Sequence, residues 1–206
     1  MGREPVIYAH RGLWSSPDKQ NSIVAITKAA EHGFGIETDF RSKNKKLIIS
    51  HDPANDSEIK WAADFDFKKS PVAMNVKEDG LAPQFADFIK ENQNEHSFLF
   101  DASIPEMVKI RNQGLPHALR LSEYEKDLPW ETSFIWIDGF ISDWWIDSKE
   151  VEENIGKSFL VFVSPELHGR NRRSAWEYFR RIRQINVGHF GVCTDFPIEL
   201  KDFLNE

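Results

Sequence analysis

Short apolar runs recur along the chain at residues 5–9, 35–40, 72–76, 97–100, 118–121, 134–137, 158–163 and 190–193. Each has the length of a strand, and most are continuously apolar rather than alternating, as strands buried on both faces are. Between most of them, apolar residues return every three or four positions, over residues 22–32, 82–92, 105–113, 148–155, 172–185 and 197–204. Phe85, Phe88 and Ile89 mark the inner face of the second such stretch. This spacing predicts helices that each lay one face on a sheet. Eight buried strands alternating with helices predict an α/β fold with a parallel sheet, closed as a (β/α)8 TIM barrel, with a doubly wound open sheet as the rival. Residues 47–50, behind the polar turn 42–46, form a candidate extra strand beside the second and outside the eight. With no linker, low-complexity tract or repeat, residues 1–206 read as a single domain.

Composition narrows the class. A chain of 206 residues can bury one sizeable core, and 40% apolar with 29% charged residues excludes a disordered chain. No apolar run is long enough to span a bilayer. The net charge of −7 repels nucleic acid and anionic membranes, which points to a small-molecule partner. The first residues lack the basic start and apolar stretch of a secretory signal, so a cytoplasmic location is expected. Cys193, the single cysteine, can form neither an internal disulfide nor a cysteine-based zinc cluster and reads as a small buried residue.

Ionisable groups stand where the strands end: His10 and Arg11, Glu37 and Asp39, Lys77, Asp101, Arg120, Asp138, Glu166 and Asp195. In a parallel barrel all these ends belong to one rim, where active sites of this architecture lie. Asp195, with Thr194 and ahead of Pro197, also suits a turn or helix cap. Glu37 and Asp39, two apart, share one side of a strand. Two adjacent like charges suit a hard divalent cation such as Mg²⁺ or Ca²⁺, with the Asn75 carboxamide as a neutral third ligand. Pairing with Arg41 or Lys77 is the alternative. His10 and His51 end runs in the same company, and a neutral and a protonated imidazole together supply what phosphodiester cleavage needs. Arg11 and Lys77 would clamp the phosphate, and Gly12 would let the backbone come close. His32, His96, His117 and His189 lack such company and read as ordinary loop residues.

Taken in order, Ala9-His10-Arg11-Gly12, Asn21-Ser22, Ile36-Glu37-Thr38-Asp39, Ser50-His51-Asp52, Asn75-x-Lys77 and Thr194-Asp195-Phe196-Pro197 resemble the glycerophosphodiester phosphodiesterase family over essentially the whole chain. The resemblance implies a barrel of the phosphatidylinositol-phospholipase-C-like phosphodiesterase group and a role in lipid metabolism. It implies His10 and His51 as the acid–base pair, Glu37 and Asp39 as metal ligands, and Arg11 and Lys77 on the phosphate. There are three departures. The family usually has Glu where this chain has Asn75, which leaves Asp101 as the carboxylate that could complete the metal shell. Its Pro-Glu-Asn-Thr stands here as Lys19-Gln20-Asn21-Ser22, an amide replacing a carboxylate that could orient Arg11, with Asn21 suited to a helix cap. Its sizeable insertion after His-Asp is missing, because only 20 residues separate His51 from Val72.

For the alcohol end of the substrate, Trp136, Trp144 and Trp145 lie with Asp138 and Asp143 around one loop, and Glu166 lies in the next. Aromatic rings beside acids hold cationic head groups or sugars, although these tryptophans also suit packing. Arg172, Arg173, Arg180, Arg181 and Arg183 fall on a helix with an apolar face of Trp176, Phe179 and Ile182, so they read as a solvated face. The function expected is a metal-dependent phosphoric diester hydrolase, with a catalytically weakened barrel binding a phosphorylated ligand as the alternative.

Overall fold

The computed structural model of the chain describes residues 4–53, 59–92, 94–184 and 189–206. Ile185, the last residue of one expected helix, and residues 1–3, read above for a targeting signal, lie outside the described residues. The chain forms two compact units, Ala9–His117 and Met1–Tyr8 with Ala118–Glu206. The first strand, β1 (Val6–His10), runs from one into the other.

The unit Ala9–His117 contains α1 (Ile23–Glu31), β2 (Gly35–Lys43), β3 (Lys46–Ile49), β4 (Val72–Val76), α2 (Ala82–Glu91), β5 (Phe98–Phe100) and α3 (Ile104–Asn112). β2 and β4 pair in parallel with Asp39 opposite Asn75, and β4 pairs with β5 so that Asn75 lies opposite Phe100. This register brings the polar ends of these strands level. The extra strand β3 folds back antiparallel on β2 through a tight turn at Asn44 and Lys45, with φ of 49° and 62°. That hairpin branches from β2 and leaves the parallel ladder intact, as expected. Phe85 and Phe88 of α2 meet Phe40 of β2 edge-on, with ring centroids at 5.4 and 5.1 Å. Each such ring contributes about 2–3 kcal/mol by leaving water.

The unit Met1–Tyr8 with Ala118–Glu206 contains β6 (Ala118–Leu121), β7 (Phe134–Ile137), α4 (Lys149–Asn154), β8 (Phe159–Val163), α5 (Arg173–Gln184), β9 (Phe190–Thr194) and α6 (Pro197–Asn205). β6, β7, β8 and β9 pair in parallel, in sequence order. Trp145 is fully buried here, stacked on Phe179 at 5.4 Å and tilted against Phe162 at 5.1 Å. The hydrogen-bonded order is β5-β4-β2-β1-β9-β8-β7-β6, and Leu99 of β5 bridges in parallel to His117, the residue before β6. Eight strands in this order form the (β/α)8 barrel that the sequence predicts. Among the described residues no α-helix follows β2 or β6, so six of the strands carry one.

The turn after β1 depends on Gly12 for its packing against α1. Its φ is +87°, and a Cβ there would stand 2.7 Å from the backbone carbon of Ala25 in α1. Gly12→Ala is therefore expected to lose about 2–4 kcal/mol of stability, read by urea unfolding. A variant as stable as wild type would mean that α1 yields at no cost.

Candidate active site

β1 delivers His10 and Arg11 at its C-terminal end, beside the Glu37 and Asp39 side of β2. The Arg11 amide donates to the Glu37 carbonyl at 2.8 Å, and the Asn21 amide donates to the Arg11 carbonyl at 2.9 Å. Arg11, Asn21 and Asp101 all sit in the left-handed backbone region, with φ of 57°, 54° and 60°. Non-glycine residues there cost about 1–2 kcal/mol each and persist where surrounding contacts hold them.

Asp39 is the hub. Its Oδ2 lies 3.0 Å from Arg11 Nε and accepts from Asn21 Nδ2 at 2.7 Å, while Oδ1 lies 3.2 Å from Lys77 Nζ. Burial pushes the Asp39 carboxyl up, but Lys77, Arg11 and Asn21 outweigh it and hold it below the usual range. Asn21 is fixed in turn by Thr38, whose hydroxyl donates to its Oδ1 at 2.7 Å. The helix cap assigned to Asn21 from sequence falls instead to Ser22, whose hydroxyl accepts from the Ala25 amide. Gln20 helps to orient Arg11, its Oε1 accepting from Arg11 Nη1 at 3.0 Å.

Glu37 is 1% exposed. Its Oε2 lies 3.8 Å from His10 Nε2 and accepts from the Arg11 amide at 3.3 Å, and its Oε1 accepts from Asn75 Nδ2 at 3.3 Å. Burial first, then the charge of Asp39, pushes its carboxyl up to about 7, against the pull of His10, Arg11 and Lys77. A carboxyl raised in the folded state stabilises fully below about pH 4.5 and loses that contribution as pH rises through about 7. Asp39, shifted the other way, loses its contribution as acid protonates it. The protein is therefore expected to lose about 2 kcal/mol between about pH 5.5 and about pH 8, and Glu37→Gln to remove that loss. Urea unfolding at both pH values measures it; an unchanged slope in Glu37→Gln would assign it elsewhere.

The β2–β3 hairpin places His51. The Ser50 amide donates to the Asp39 carbonyl at 3.0 Å, and Arg41 Nε donates to the His51 carbonyl at 3.0 Å. The His51 ring is half-exposed, with Nδ1 3.0 Å from Asp52 Oδ1. Asp101 closes β5 one residue beyond Phe100 and is exposed. Thus His10, Arg11, Glu37, Asp39, Asn75 and Lys77 form one contact network, with His51 tethered to it through the backbone.

A divalent cation needs several oxygens free to converge on one point. Asp39 Oδ2 faces Arg11 Nε and accepts from Asn21 Nδ2, Asp39 Oδ1 lies beside the Lys77 ammonium but is buried without a hydrogen-bond partner, and Glu37 faces N–H donors of Arg11 and Asn75. Among the described residues no three His, Cys, Asp or Glu side chains are grouped to hold a metal. The described side chains around Asp39 and Glu37 are engaged largely with cations and N–H donors of the chain itself.

The candidates for the alcohol end lie in the other unit. Trp136 is 4% exposed in β7 and belongs to the core. Trp144 shields the loop, its Nε1 donating to the Asp138 carbonyl at 2.7 Å, while Trp145 packs beneath. Glu166 straps loops together, accepting from the hydroxyls of Ser164 and Thr194 and the amide of Asp195. Thr194 ties the turn before α6 by accepting from the Phe196 amide at 3.0 Å. A pair missed in the sequence is His168 with Asp138, Nε2 to Oδ1 at 2.7 Å; the His stands thirty residues downstream, without local signal. Arg173 and Arg180 of α5 pair with Glu177, and Arg172, just before the helix, pairs with Glu199 and stacks on Phe196.

The fold is that of known phosphodiesterases. The structure of glycerophosphodiester phosphodiesterase from Agrobacterium tumefaciens str. C58 aligns with a TM-score of 0.66 over 97% of this chain and 100% of the other, at 15% identity. That of an Oleispira antarctica phosphodiesterase, in complex with the product sn-glycerol-3-phosphate, aligns at 0.64 over 98% and 97%, at 11% identity. No protein-family model matches the chain, and no curated protein matches it. The resemblance read from the ordered motifs therefore holds at the level of fold.

Proposed function

We propose that the chain is a phosphoric diester hydrolase of the glycerophosphodiester phosphodiesterase family, cleaving a glycerophosphodiester or a related lysophospholipid-type diester. The observation that carries this reading is the network in which His10, Arg11 and Lys77 gather around Glu37 and Asp39. The fold shared with two phosphodiesterases supports it. The net charge of −7 favours a small diester over nucleic acid, and the single cysteine suits a cytoplasmic setting. Among the described residues no helix is long and apolar enough to cross a membrane.

A phosphate diester carries one negative charge, which grows on its oxygens as phosphorus is attacked. Arg11 offers two parallel N–H groups to those oxygens, and Lys77 offers a compact charge. Asp39 already holds both cations, so they need little rearrangement to stabilise the transition state. His10 and His51 divide the proton work: the neutral imidazole takes the proton of the attacking hydroxyl, and the protonated one gives its proton to the departing alkoxide. The attacking hydroxyl belongs either to water or to the substrate beside the ester; in the second route a cyclic phosphate forms and water opens it.

The test is release of alcohol from glycerophosphodiesters, lysophospholipids and an aryl phosphodiester. Turnover of one class by the wild type, lost in His10→Ala, supports the hydrolase. Phosphate binding without turnover of any class would favour the catalytically weakened barrel.

A further inference from the structure

We propose that this site holds the phosphate of its ligand with Arg11 and Lys77 alone, without a divalent cation, and that Asn75 is the residue that makes it so. The inference rests on the reading of this network as a phosphate site and deepens it.

The charges are the first ground. Asp39 lies between Arg11 Nε at 3.0 Å and Lys77 Nζ at 3.2 Å, so two positive groups already occupy the space around its carboxylate. A divalent ion bound to Asp39 would have to displace both and then sit beside them, like charge against like charge. With Glu37 protonated, the two cations and Asp39 leave one net positive charge, the complement of a phosphate diester.

Asn75 is the second ground. It stands opposite Asp39 in the register, one strand over, and is 7% exposed. Its Nδ2 donates to Glu37 Oε1 at 3.3 Å. A carboxylate at this position would face Glu37 with no proton between them, and the pair would call for a cation; the amide bridges to Glu37 by itself. Asp39 Oδ1 and Asn75 Oδ1 are both buried with no hydrogen-bond partner, but the first faces the Lys77 ammonium, so Asn75 Oδ1 is the one of the two left open, neutral and too little to hold a hard ion against two neighbouring cations. It suits a donor such as a substrate hydroxyl.

The experiment is calorimetric titration of inorganic phosphate into the full chain, once with EDTA and once with MgCl₂. The dissociation constants are expected to agree within about twofold, and Lys77→Met, which keeps the stem, to weaken binding by about tenfold or more. MgCl₂ or CaCl₂ titrated without phosphate is expected to give no saturable heat with the wild type. Asn75→Asp, which restores a third carboxylate, is expected to give one. Phosphate binding that disappears in EDTA and returns with Mg²⁺, or saturable ion binding by the wild type, overturns the proposal, and a folded Asn75→Asp that binds no ion overturns the role of Asn75. Metal-dependent diester cleavage would sink this inference and keep the hydrolase; metal-free phosphate binding with no cleavage would do the reverse.

Discussion

His10→Ala is expected to lower kcat for diester cleavage by about 100-fold or more while leaving the fold in place. The imidazole stands at the C-terminal end of β1, 18% exposed and 3.8 Å from Glu37, so its removal strips a proton carrier from the site and leaves the apolar core untouched. On the proposed reading the loss belongs in kcat, because Arg11 and Lys77 would hold the phosphate. Truncating Lys77, by contrast, should raise KM as well as lower kcat, because its charge would meet both the bound phosphate and the charge that grows on it. His51→Ala is the companion measurement. His51 is tethered through Ser50 and Arg41, and its half-exposed ring meets the exposed Asp52. A comparable fall in kcat would assign it the second proton transfer; near-wild-type turnover would take it out of the mechanism and leave His10 with a solvent partner.

Asp39→Ala is expected to destabilise the chain by about 2–4 kcal/mol, read from urea unfolding, and to abolish tight phosphate binding. Three groups lose a carboxylate oxygen at once: the Arg11 guanidinium, which keeps Gln20, the Lys77 ammonium and the Nδ2 of Asn21, which is 5% exposed. The two cations keep partial contact with water, at 21% exposure each, which holds the cost below that of a fully buried orphan charge. Asp39→Asn keeps the shape and an acceptor oxygen and should fall between Asp39→Ala and wild type. A loss under about 1 kcal/mol in Asp39→Ala would show that Arg11 and Lys77 hold their positions without it, and that the hub lies elsewhere.

The alternation of buried strands and amphipathic helices was sufficient to predict the eight strands of the ladder, because a strand covered on both faces must be apolar along its whole length. The antiparallel β3 was legible for a similarly local reason, a polar turn between two short apolar runs. The ends of those strands also named His10, Arg11, Glu37, Asp39 and Lys77, since an ionisable group at the end of a buried run has few reasons to be there. What each group touches was not legible. The sequence offers Glu37 and Asp39 both as a pair of ligands and as partners of Arg41 or Lys77; the register gives Asp39 both Arg11 and Lys77 and sets Glu37 beside His10 and the Asn75 amide. Asn21 reads as a helix cap and turns out to carry Asp39, while Trp136 and Glu166 read as substrate contacts and lie in a core and a strap. Local patterning follows from where each segment meets water and so is written residue by residue. Which charge pairs with which depends on distances set by strand register and loop closure between residues far apart in the chain, and only the folded structure decides those.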